Sequence, residues 1–133
     1  MFYDFSFTVP ANTTKASPYQ EHIKLTHGII HRVELGFPGG CAGEVHCVIK
    51  RGLHQVWPTN PDGSLNADKF TIVFNEFYPL LHRPYILTLQ GWSPGTTYPH
   101  TIELRFGILP PEVLMPEETF IQAFKKLLAR LRL

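Results

Sequence analysis

Residues 101–108 read TIELRFGI. Ile102, Leu104, Phe106 and Ile108 alternate there with Thr101, Glu103 and Arg105. A strand turns successive side chains to opposite faces, so such a row buries one face and wets the other. The same period of two runs back through the chain. Tyr3, Phe5, Phe7 and Val9 share a face, with Asp4, Ser6 and Thr8 on the other. Ile29, His31, Val33, Leu35 and Phe37 form a second row, and Val45, Cys47 and Ile49 a third. A short piece from Gly52 to Trp57 follows. Phe70, Ile72 and Phe74 make another row, and Tyr85, Leu87 and Leu89 another, ending at Gly91-Trp92.

Turn chemistry separates these rows. Pro38-Gly39-Gly40 breaks one strand. Asn60-Pro61-Asp62-Gly63 combines a preset φ at proline with a glycine that accepts positive φ. The polar stretch 11–22, ANTTKASPYQEH, reads as a loop. The count is seven or eight short strands without an intervening helix, which excludes βαβ units. An all-β fold follows: an antiparallel β-sandwich of jelly-roll type, or a small barrel, over residues 1–110. Its core should contain Phe5, Val33, Val45, Ile72, Leu87 and Leu104.

Residues 111–133 differ. After a proline-rich linker the period changes to 3.6: Phe120, Ile121, Phe124, Leu127, Leu128 and Leu131 fall on one stripe of an amphipathic helix. Glu117 and Glu118 near its start, and Lys125, Lys126, Arg130 and Arg132 later, suit the helix dipole. Six such side chains would gain roughly 9–18 kcal/mol on full burial, before ordering costs. A two-sheet sandwich closes its core alone, so the stripe is expected to serve as a subunit interface. A membrane-surface helix would be more cationic and carry Trp at the boundary, which argues against that use.

Composition narrows the function classes. The chain of 133 residues is 44% apolar and 17% charged, a globular mix of single-domain size. Its net charge of +1 argues against nucleic-acid binding through a basic field. Cys41 and Cys47 offer at most one bridge, and Cys47 alternates with Val45 and Ile49 as a buried hydrophobe. The opening MFYDFSFTVPANTT has neither a basic segment nor an apolar core, so no signal peptide is expected, and the location reads as cytoplasmic or virion.

Candidate chemistry is sparse. His27 and His31 lie four apart on a strand, about 13 Å, too far to share a metal. His46 and His54 flank a turn, and nothing in the spacing makes them converge. Cys41, in the loop PGGCAGE, has no adjacent base, and that loop lacks the ending of a phosphate loop. No carboxylate pair stands in an apolar setting. The sequence therefore predicts no catalytic residue, no metal and no cofactor. Trp57, Trp92, Tyr85 and Tyr98 lie at strand ends beside turns, where aromatics stack on sugar rings or are buried under loops.

A short chain of alternating strands without signal peptide or active site resembles the small single jelly-roll proteins of viral and tailed-phage particles, of decoration, adaptor or minor capsid type. The resemblance rests on strand pattern and turn rhythm over residues 1–110. It implies a non-enzymatic structural protein, homo-oligomeric and in contact with other particle proteins. The alternatives are a carbohydrate-binding module using the rim aromatics and a small cupin-like metal enzyme.

Overall fold

A computed structural model describes residues 1–114 and 125–130. Its strands are β1 (Phe2–Val9), β2 (Tyr19–Lys24), β3 (Gly28–Phe37), β4 (His46–Arg51), β5 (His54–Trp57), β6 (Phe70–Leu80), β7 (Ile86–Trp92) and β8 (His100–Leu109). A single helical turn, α1 (Pro111–Leu114), packs against β3 and stands where the sequence suggests only a linker.

Two four-stranded antiparallel sheets result, in the orders β1-β8-β3-β6 and β2-β7-β4-β5. The β4–β5 hairpin is the centre of one long folded ribbon, in which β3 meets β6, β2 meets β7 and β1 meets β8. Rolling that ribbon adds the β3–β8 and β4–β7 pairings. This is the jelly roll, in which two Greek keys interlock and a sandwich closes. Four connections, 10–18, 38–45, 58–69 and 93–99, gather at one end.

Those connections are tied in pairs. The Ser93 amide donates to the Thr13 carbonyl at 2.8 Å, and the Gly95 amide to Asn12 Oδ1 at 2.8 Å. On the other side, Asp68 Oδ1 accepts from the amides of Gly40 and Ala42, each at 3.0 Å. These bonds hold the Asp68 carboxyl below its ordinary range, with Ala42's amide the largest cause.

The core lies between the sheets, and most of the expected row is in it. Val33, Val45, Leu87 and Leu104 are fully buried, with Phe7, Leu35, Ile49, Leu89, Ile102 and Phe106. Phe5 and Ile72 pack against this core but are only half-buried, a correction to the expected list. Both sit on edge strands, β1 and β6, where an inward side chain has a neighbouring strand on one side only. Phe70, expected inward, is 63% exposed at the start of β6.

Two strands depart further from the sequence reading. Residues 19–24 form β2 on β7, although 19–22 were expected in a loop. Ile23 is its only fully inward apolar residue, Glu21 interrupts the row, and Gln20, His22 and Lys24 face solvent, so the apolar alternation never accumulates. In β3 the register shifts between Ile30 and Arg32. Ile30 pairs with Ile108 and Arg32 with Gly107, so His31 is an extra residue against β8. Such a bulge reverses which face a strand presents. Ile30 therefore enters the core in place of His31, which is only half-buried.

Residues 125–130 are helical, as the 3.6 period predicts, and are exposed in the single chain. Phe120, Ile121, Phe124 and Leu131 of the same stripe lie outside the described residues.

Candidate functional site

Exposed apolar side chains stand at the start of β1 (Phe2), in the β4–β5 turn (Leu53) and, three together on one strand, on β6. This strand is eleven residues long and closes one edge of its sheet, paired with β3 alone among the described strands. Its inward residues Ile72 and Phe74 meet Leu35 and Val33 of β3 in register. Its outward residues are not uniformly polar. Val73 is 45% exposed and Phe77 50% exposed, in addition to Phe70. Residues 70–75, FTIVFN, carry no charge.

Glu76 and Phe77 together oppose His31, because β3 spans from Ile30 to Arg32 while β6 spans from Tyr78 to Asn75. Glu76 falls on the same alternation as Ile72, Phe74 and Tyr78 and so turns toward the other sheet. Its carboxylate accepts the indole N–H of Trp57 at 2.9 Å. The Trp57 ring packs edge-on against Phe74 and Tyr78, at centroid distances of 5.9 and 5.4 Å. The gap between the β5 and β6 edges is thus filled by one indole whose polar atom is satisfied, as a buried Trp requires.

That placement overturns part of the rim-aromatic expectation. Trp57 is 4% exposed and Trp92 8%, so neither offers a free face. Trp92 stacks on His46 at 5.5 Å, and the Lys15 ammonium lies 5.6 Å from its ring. Tyr85 is half-buried, edge-on to His27 at 5.8 Å. Tyr98 alone of the four is open to solvent, at 71%. Trp57 is covered by β6, and Trp92 by His46 and by the 10–18 connection that carries Lys15.

The histidines are dispersed. His27 packs on Tyr85, His31 faces Gly107, His46 is paired with Ser64 Oγ at 2.8 Å, and His54 is exposed on β5. Among the described residues no three His, Cys, Asp or Glu side chains converge as metal ligands would. Burial, with Lys15 second, holds His46 below its ordinary value, so this ring is neutral at pH 7. Both cysteines are reduced and buried. Burial pushes the Cys47 thiol up to about 12, and burial together with Asp68 raises that of Cys41. Neither is poised as a thiolate. Among the described residues no helix is long and apolar enough to cross a membrane.

Of the predicted interface stripe, Leu127 and Leu128 are described, and both are exposed. Sequence reading did not single out β6. The signal was available in FTIVFN, where Val73 breaks the polar outward row.

No family model and no curated protein matches the chain in sequence. Solved structures similar to it include a de novo designed double-stranded β-helix, at 14% identity and TM-score 0.38, covering 79% of this chain and 99% of that one. A mitogen from Yersinia pseudotuberculosis is similar at 5% identity and TM-score 0.43, over 82% and 86% of the two chains. A structure of Bacillus endospore appendages, described as disulfide-linked pili, is similar at 11% identity and TM-score 0.41, over 82% and 88%. All three are β-rich.

Proposed function

We propose that this chain is a non-enzymatic jelly-roll subunit that assembles with copies of itself into a larger particle, such as a virion or a phage-like structure. The observation that supports this most directly is the partly apolar edge of β6, uncharged over residues 70–75, with Phe70, Val73 and Phe77 exposed. An edge strand presents unpaired N–H and C=O groups, and soluble proteins blunt long edges with charge, proline or shortness. Residues 70–75 carry none of these devices. A second copy laid antiparallel along β6 would pair those groups and cover Val73. A two-fold contact of that kind is self-complementary and closes on itself. The exposed Leu127 and Leu128 supply a second apolar surface, suited to another subunit or to a different particle protein.

Light scattering on the full chain tests this reading. The expected molar mass is a small multiple of that of one chain. Val73→Lys should lower it while a cooperative melt persists, since a lysine on a free edge is tolerated where one in a seam is not. A full-length chain that stays monomeric at high micromolar concentration overturns the reading.

A further inference from the structure

A groove opens on the outer face of the β1-β8-β3-β6 sheet, beside the β6 edge. Gly36 of β3 stands on that face between Thr71 of β6 and Glu103 of β8. A Cβ added there would lie 3.4 Å from Thr71 Oγ1 and 3.7 Å from Glu103 Cβ, so the missing side chain opens a trough between the flanking strands. The trough widens into a groove of about 960 Å³, bounded by Pro38–Gly40 on one side and Tyr98–His100 on the other. That volume falls within the range of small-ligand sites, ~300–1,000 Å³.

The lining has a definite chemistry. Tyr98 stands on the rim with its ring largely in solvent, where it adds little to the fold. The Glu103 carboxylate accepts the Ser6 hydroxyl, at 2.9 and 3.0 Å to its two oxygens, and keeps further lone pairs free. The Arg105 guanidinium makes only loose pairs, 3.5 Å to Asp4 and 3.8 Å to Glu34, and retains unused donors. His100 Nδ1 is buried without a partner among the described residues. Nε2 lies toward Gly40, whose φ of +99° and missing side chain keep that end of the groove open. One carboxylate and one guanidinium cancel, so the groove suits a neutral ligand rich in both donors and acceptors. The C–H face of a sugar ring also carries the slight positive charge that the face of an aromatic ring attracts.

We propose that this groove binds a neutral oligosaccharide, with Tyr98 as the stacking platform and Glu103 and Arg105 as partners of its hydroxyls. The test screens the full-length protein on an array of immobilised neutral glucose, galactose, mannose, xylose and N-acetylglucosamine oligomers, then titrates the best binder by calorimetry. Binding of at least one oligomer is expected. Tyr98→Ala should weaken it by about three- to tenfold, as loss of one aromatic stack implies. Gly36→Val, which refills the trough, should abolish it, and thermal melts show that both variants are folded. Tyr98→Phe should retain most of the binding. The proposal is overturned if no neutral oligomer binds, if only sulfated or sialylated glycans bind, or if folded Tyr98→Ala binds as well as the parent.

Discussion

The two edges of one sheet, β1 and β6, are finished differently. On β1 the outward residues Asp4, Ser6 and Thr8 each have a polar partner across the strand pair. Asp4 meets Arg105, Ser6 donates to Glu103, and the hydroxyls of Thr8 and Thr101 are 2.9 Å apart. On β6 the corresponding outward positions are Thr71, Val73 and Asn75, facing Gly36, Glu34 and Arg32. Val73 thus puts a branched apolar side chain beside a carboxylate whose ion pairs are with Arg32 and Arg105. β1 keeps its outward row polar from Asp4 to Thr8, with Phe2 exposed at its start, whereas β6 carries Val73 in the middle of that row. The difference also shows that equal position in a sheet does not mean equal surface role, because the outward side chains decide it.

The largest effect expected is in the stem common to both edges. Leu104 of β8 pairs with Phe5 of β1 on one side and Leu35 of β3 on the other, and is fully buried. Leu104→Ala should cost ~2–5 kcal/mol in denaturant unfolding, through lost transfer energy and the cavity left behind. Ile72→Ala on β6, only half-buried, should cost clearly less, about 1–2 kcal/mol, because less apolar area returns to water. Equal losses would mean that β6 is packed as a central strand within the monomer, and the contrast between edge and centre would fail.

A charge exchange between the edges is the next largest. Val73→Lys should shift the scattering mass toward that of one chain while changing monomer stability by no more than ~0.5 kcal/mol, as is usual for exposed sites. Ser6→Val on β1 should leave the mass unchanged. Its cost in stability should be that of one exposed hydrogen bond to a charged group, about 1 kcal/mol or less. If Ser6→Val lowers the mass and Val73→Lys does not, the roles of the two edges are reversed.

Smaller again is a dependence on pH at the start of β6. Asp68 precedes that strand and anchors the 38–45 connection through the amides of Gly40 and Ala42. Its folded pKa is lowered from 3.8. The stabilisation is therefore present in full above the ordinary carboxylate range. It is lost as pH falls from that range through the lowered folded value. Asp68→Asn should flatten that acid limb in melts followed by circular dichroism, with little change at pH 7 beyond a small uniform loss. An unchanged acid limb would show that the anchor does not act through the carboxylate.

Strand existence was legible wherever apolar residues alternated for four or more positions. Val33, Val45, Leu87 and Leu104 are buried as that alternation implies, and the run TIELRFGI became the central part of β8. It was illegible where a charge interrupts the inward row itself, as Glu21 does in β2. The bulge at His31 was also hidden, since it arises from the pairing of β3 with β8 and leaves no mark on β3 itself. The aromatics divided in the same way. Their positions beside turns were evident, but whether a ring is covered depends on loops far away in sequence, such as the one that puts Lys15 over Trp92.

The sequence by itself determined what is local: a period of two, the turns that interrupt it, the all-β class and the helical period near the C-terminus. Those follow from backbone geometry and from which side chains water rejects at each position. The tertiary structure alone decided the strand order, the filling of the β5–β6 gap by Trp57, and the groove that brings Gly36 to Tyr98. Each of these joins residues far apart in the chain. Such pairings are chosen by the packing of two whole sheets against each other, a choice that no short window of sequence contains.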